Sequence, residues 1–254
     1  MKMLQNVVYL GKKISDNACG RTVTYATKYI AGCYFDVFCK QYRTAGLTFE
    51  VPVDHTTRAM RGRFAADTYE LPERELIRKY LSADSRVLEL GGCIGVVSCT
   101  INNLLRDRHA HVVVEANPFL IPFLERNRDV NGAKFSVEHC VVTRDSAATL
   151  SIAANMDGSR RGEQGLAIPT HTFEYIEGRH QISFNTLVMD IEGAESEFIM
   201  ENRATLERMQ LLVIEFHPSA IGKNQVGDLR EVLHACGLEK VDQRLTTEVY
   251  RRVQ

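Results

Sequence analysis

Four acids stand at or next to the ends of short apolar runs in this chain, and the carboxyl end of a buried strand is where an open α/β sheet meets its ligand. They are Glu89 in RVLELGGCIG, Glu115 in HVVVEANP, Asp190 in NTLVMDIEG and Glu215 in QLLVIEFHP. Behind the first comes a glycine turn, Gly91, Gly92 and Gly95, with Cys93 inside it. It is not a P-loop, which needs G-x-x-x-x-G-K-[ST]. It is not a dinucleotide fingerprint either, which counted from Gly91 would need glycine at Cys93 and Val96. What remains is acid-x-G-x-x-x-G. A pyrophosphate would be repelled by Glu89, whereas an ammonium group would be attracted.

S-adenosylmethionine suits that turn: it carries an α-amino group and a sulfonium but no phosphate, and its carboxylate can lie on the N–H groups of a helix N-terminus. Glu115, twenty residues beyond Gly95, is expected to accept from ribose hydroxyls, with Ala116 and Asn117 in the same turn and Val141 contributed by the third strand. Charge-assisted bonds of this kind are worth roughly 1.5–3 kcal/mol net. Transfer of a methyl group from such a donor to an alcohol requires the hydroxyl proton to leave, and a nearby acceptor helps by about 10²–10⁴-fold. Asp190 and His217 are the expected acceptors, and Glu192 and Glu195 are placed to hold substrate hydroxyls. The glycine-rich loop NMDGSRRGEQG offers Arg160 and Arg161 to an anionic substituent of the acceptor. Metal-ligand spacing is missing, since His109-x-His111 has no partners and H-E-x-x-H is absent, so metal-independent transfer is expected.

These residues need a scaffold, and the periodicity supplies one. LPERELIRKYLSADS reads as a helix after a proline suited to a first turn. RVLELGG and CIGVVSCTINNLLRD read as strand, tight turn and helix, and the unit repeats as HVVVEANP and FLIPFLERNRDVNG. A third strand is expected in KFSVEHCVVT, an additional one in ATLSIAA, a fourth in NTLVMDIEG and a fifth in QLLVIEFHP, with one helix over AESEFIMENRATLERM. GLEKVDQRL and TTEVYRRV read as a closing hairpin. Apolar, non-alternating strands between helices predict a mostly parallel sheet covered on both faces. Residues 1–62 read differently, with scattered tyrosines and phenylalanines and a strand at Leu47–Val53, and are expected to form an appendage or lid on a domain of residues 63–254.

Composition narrows the setting. The 31 basic and 32 acidic residues of the 254 give a formal charge of −1, which argues against a nucleic-acid partner. Seven cysteines without a C-x-x-C pair read as free thiols in a reducing compartment. No apolar run approaches the roughly 20 residues of a membrane span, and the first residues lack a signal-peptide pattern, so a cytoplasmic protein without stable membrane insertion is expected. Oligomeric state is not readable.

The motifs resemble those of the FkbM-type methyltransferases over about residues 64 to 220. LELGGCIGVVS is similar to that family's glycine motif, HVVVEANP to its ribose motif and LVMDIEGAE to its D-x-E-G-A-E signature, with LLVIEFHP as the following strand and IPTHTFEYI as the segment before the signature. Tyr69-Glu70 in ADTYELPE matches a Tyr-Glu the family often shows, which adds both to the cofactor set. The resemblance implies a Rossmann-like class I methyltransferase fold with a seven-stranded sheet, S-adenosylmethionine as cofactor, and a sugar, glycan or polyketide-like acceptor. Two departures stand out: Glu89 and Cys93 occupy positions where the family usually has Asp and Asn. N-methylation, a binding module without turnover and a nicotinamide dehydrogenase remain as alternatives, the last opposed by the glycine spacing.

Overall fold

The computed structural model describes residues 18–39, 41–151, 156, 160–161 and 165–253; the side chains of 18–24 and 160–161 lie outside that description. The chain divides into two compact units, residues 1–71 with 154–156, and residues 72–153 with 157–254.

In the first unit a helix, Ala18–Tyr34, runs into a π-helical turn at Phe35–Cys39. Strands β1 (Gln41–Thr44) and β2 (Leu47–Glu50) then form an antiparallel hairpin. Its two-residue turn has both Ala45 and Gly46 at positive φ, the geometry whose twist matches the flanking strands. The sequence pattern extends β2 to Val53. The strand stops at Glu50 because Pro52 cannot donate to a ladder and Val53–His55 coil into a short 3₁₀ turn. The helix Arg58–Ala65 starts at Thr57, whose hydroxyl accepts from the Met60 N–H. Phe35, Tyr42, Phe49, Phe64 and Tyr69 form the aromatic core of this unit.

Most of the helix Leu71–Tyr80 belongs to the second unit, which contains β3 (Val87–Leu90), β4 (His111–Val114), β5 (Ser136–Glu138), β6 (Val141–Val142), β7 (Ala148–Ser151) and β8 (Arg160–Arg161). It continues with β9 (Leu166–Ile168), β10 (Thr170–His171), β11 (Thr186–Met189), β12 (Leu211–Glu215), β13 (Leu238–Arg244) and β14 (Thr247–Arg252). Seven of these make one sheet in the order β13-β14-β12-β11-β3-β4-β5. β5, β4, β3, β11 and β12 run parallel, and β14 closes the sheet antiparallel to β12 and β13. This is the seven-stranded, mostly parallel Rossmann-like architecture expected from the sequence.

Alternation along the strands decides which face each side chain serves. Leu88, Leu90, Leu187, Met189, Leu212 and Ile214 pack with Phe173, Phe198 and Leu229 on one face. Val87, Val188, Leu211 and Val213 pack with Leu76, Ile77, Val97 and Ile101 on the other. The expected third strand is split, since β5 joins the main sheet while β6 pairs with β10. The additional strand, β7, belongs to a separate sheet with β8 and β9. The helix expected over 194–209 is two, Glu195–Glu201 and Arg203–Leu206. Asn202 breaks it by turning its side-chain amide back onto the Phe198 carbonyl at 2.9 Å. No described helix is long and apolar enough to cross a membrane.

Candidate active site

Strand order reverses between β3 and β11: the chain winds outward through β4 and β5, then returns to lay down β11 and β12 on the other side. The crevice beyond their carboxyl ends is the expected ligand position. The glycine turn sits there. Gly91 and Gly92 donate to the Val114 carbonyl at 2.9 and 3.1 Å, tying the turn to β4. Gly91 adopts φ +95°, and a Cβ on it would fall 1.8 Å from the Asp190 carbonyl oxygen, so only glycine lets the turn meet the end of β11. Asn127 anchors the turn from behind, its buried amide donating to the Ile94 carbonyl at 2.8 Å. Cys93 is also left-handed, with φ +47°, a conformation most side chains avoid.

The first two acids divide their work in a way the sequence does not announce. Glu89 is only 1% exposed, and both its oxygens are used within the protein. Ser98 Oγ donates to one at 2.8 Å, and His111 Nε2 lies 3.0 Å from the other. The Glu89 carboxylate thus holds one partner on each oxygen and keeps acceptor capacity beyond them. It joins the helix Val96–Leu104 to the start of β4. Glu115, 7% exposed, accepts from the Cys93 N–H and from the Asn117 N–H, each at 2.7 Å. With the Ala116 N–H beside them, these backbone groups take three of roughly four acceptor positions on a carboxylate, leaving capacity for a further donor. Burial pushes its pKa up to about 7 despite those backbone bonds, and the Glu89 charge adds to the rise. Asn117 Oδ1 accepts from the Phe119 N–H, and the Ala116 carbonyl lies 3.2 Å from His139 Nε2.

A second cluster forms where β11 and β12 end. Asp190 follows β11. The next residues, Glu192 and Gly193, take φ of +53° and +111°, a tight left-handed turn that a Cβ on Gly193 would block by meeting the Ala220 side chain at 2.7 Å. His217 follows β12. Its Nδ1 lies 2.7 Å from Glu195 Oε1, and its Nε2 lies 3.6 Å from both Asp190 Oδ1 and Glu192 Oε2. Burial disfavours the charge on this imidazole. The Glu195 bond and the charges of Asp190, Glu195 and Glu192 outweigh it, holding His217 at about 9 and cationic at neutral pH. Asp190, Glu192 and His217 bring metal-binding atom types within 4.8 Å of one another, as do Glu73, Asp190 and Glu215.

The remaining expected residues belong to several elements. Glu195 is fully buried, with Oε1 shared between His217 and the Gly193 N–H at 3.0 Å and Oε2 accepting no bond from the described residues. Tyr69 belongs to the first unit, its ring 4.3 Å from that of Phe64 with the Arg63 guanidinium over it; Glu70 beside it has φ +48°. Val141 is in β6, outside the seven-stranded sheet, its N–H donating to the Pro169 carbonyl. Arg160 and Arg161 form β8, and their side chains lie outside the described ones. Ser98, His111 and Asn127 carry no motif signal. They become visible only once the helices and β4 are assembled around the turn.

Comparison with known proteins places the chain. A family model described as the methyltransferase FkbM domain matches residues 89–239. Solved structures similar to it include M. jannaschii TYW2 in complex with AdoMet, at 12% identity and TM-score 0.46 over 84% of this chain and 86% of that one. Precorrin-6y C5,15-methyltransferase from Geobacter metallireducens is 14% identical, with TM-score 0.44 over 80% and 92% of the two chains. Aeropyrum pernix fibrillarin with natively bound S-adenosyl-L-methionine is 12% identical, with TM-score 0.44 over 71% and 73%. No curated protein sequence matches the chain.

Proposed function

The chain belongs to the FkbM methyltransferase family, and from that premise we propose that it methylates a hydroxyl on a sugar, glycan or polyketide-like small molecule without a metal ion. S-adenosylmethionine is the cofactor and supplies, when bound, a methyl group on a positively charged sulfur. The glycine turn fits such a ligand because its backbone is pinned by Val114 and Asn127 while Glu115 keeps acceptor capacity for ribose hydroxyls.

The observation that carries the acceptor side is the cluster at the ends of β11 and β12. An alcohol oxygen that has taken up the methyl group is a strongly acidic oxonium, so an ordinary carboxylate is basic enough to take its proton. Asp190 fills that role in this reading. His217, already protonated at neutral pH, holds the surrounding acids as a cation instead of serving as the resting-state acceptor. Metal-independent transfer is part of this reading, with the His217 imidazole as the group opposite Asp190 and Glu192. Dialysis against a chelator should leave turnover intact. Asp190, Glu192, Glu73 and Glu215 favour a neutral polyol over an anion at the reacting end. An anionic substituent farther along the acceptor remains the reading for Arg160 and Arg161, and the double alanine variant should then raise KM for that acceptor.

A small-molecule acceptor, rather than nucleic acid, accords with the formal charge of −1. A reducing cytoplasmic setting accords with the free thiols of Cys33, Cys39, Cys93, Cys99, Cys140 and Cys236. Incubation with methyl-labelled cofactor and separate panels of polyols, amines and RNA tests the reading. Label in an alkali-stable ether is expected; label only in amines or only in RNA would overturn it.

A further inference from the structure

We propose that Glu195 is a positioning residue that fixes the His217 imidazole through Nδ1, so that Nε2 faces Asp190, Glu192 and the reacting acceptor. The proposal rests on the reading of the β11 and β12 ends as the transfer centre. Glu195 is fully buried, and one of its oxygens is the partner of His217 Nδ1 at 2.7 Å. A ring held at Nδ1 cannot rotate its two nitrogens into each other's places without breaking its 2.7 Å bond to a buried carboxylate. When the ring loses its Nε2 proton, the tautomer with hydrogen on Nδ1 is the one Glu195 retains. The free lone pair then lies on the side that faces Asp190 and Glu192, each 3.6 Å away.

The same geometry has a structural use, since Oε1 also accepts from Gly193 N–H and the carboxylate lies in the first turn of a helix. That use accounts for an acceptor oxygen but not for a bond to the imidazole. Nor does it account for Oε2, a buried carboxylate oxygen that accepts no bond from the described residues. Around the ring the charged groups are Asp190 and Glu192 from the loop after β11 and Glu195 from the following helix, with Glu73 and Glu215 gathered about Asp190.

The test uses the full chain labelled with ¹⁵N and follows imidazole ¹H–¹⁵N correlations from pH 6 to 10, with H217Q identifying the His217 signals. The expected wild-type signal is an Nδ1-bound proton shifted downfield by its carboxylate partner and persisting after Nε2 deprotonates. In E195Q, which keeps the shape and the acceptor for Gly193, His217 should lose its Nε2 proton tenfold or more easily. Its pH–rate profile should move in the same direction, while cofactor Kd stays unchanged. In E195A kcat should fall at least tenfold, with partial recovery in E195D. An unchanged His217 titration in E195Q would overturn the proposal, as would altered titration with wild-type kcat and pH profile. The magnetic resonance arm needs no acceptor. If the signals behave as expected while no hydroxyl acceptor is methylated, the positioning bond stands and the methyl-transfer reading is the one that fails.

Discussion

The two halves of the crevice use their acids in opposite senses. On the β3 and β4 side, Glu89 and Glu115 are bonded to Ser98, His111 and backbone N–H groups, and Glu115 is pushed up toward its neutral form. On the β11 and β12 side, Asp190, Glu192 and Glu195 surround one imidazole and drive it toward its charged form. The first arrangement makes a rigid frame with one titratable acceptor. The second gathers charge at the ends of β11 and β12, the place given to proton transfer in the proposed reaction. A carboxylate is thus defined less by its place at a strand end than by who supplies its hydrogen bonds.

The contrast breaks most visibly at Asp190. If it takes the proton from the acceptor, D190N should lower kcat by about 10²–10⁴-fold while leaving cofactor Kd within a few-fold, measured by single-turnover transfer and calorimetry. Loss of cofactor binding with kcat intact would reverse the assignment of the two halves.

His217 gives the next largest effect, read in stability. Its folded value of about 9 is raised above the ordinary 6.5, so its contribution is fully present below pH 6.5 and disappears as pH rises through 9. Urea unfolding across that window should show a loss on the order of 3 kcal/mol in the wild type. H217Q should flatten the loss.

Glu115 sharpens the other half. Ligand hydroxyls donate to the ionised carboxylate, so cofactor binding should expel the proton that burial retains at pH 6. Cofactor affinity should therefore rise about tenfold between pH 6 and 8, because each pH step below the pKa of about 7 carries up to that factor. E115Q should abolish the dependence and weaken binding by roughly tenfold or more, the equivalent of one charge-assisted bond. A pH-independent wild-type Kd would sink the ribose role.

The sheet and the glycine turn are legible in the sequence because their signals are local. Apolar runs such as HVVVE and TLVMD report their own burial, and Gly91 and Gly92 lie next to the strand they end. The side chains' partners are not local. Glu89 is satisfied by residues 9 and 22 positions away, and Glu195 meets His217 across 22. The partners that helices bring to a strand-end acid and a strand-end histidine, Ser98 and Glu195, are therefore out of reach of the sequence. The split of the third strand is unreadable for a related reason: β6 takes its partner from β10, which is a two-residue strand without periodicity.

The smallest effect is expected at Cys93, the one left-handed non-glycine residue inside the glycine turn. Its N–H is committed to Glu115 at 2.7 Å, which holds the backbone in this conformation against the preference of its own side chain. Asparagine visits left-handed φ several-fold more often than most residues, a preference worth about 0.5–1 kcal/mol. C93N should raise the unfolding free energy by that amount, and cofactor affinity a few-fold, because the loop enters binding already in the required shape. C93V, with a branched Cβ in the same conformation, should move both quantities the other way by about 1–2 kcal/mol. A gain in stability from C93N together with a loss of cofactor affinity would mean that the strain at residue 93 serves the ligand directly, and the rigid-frame account of this half would have to give way.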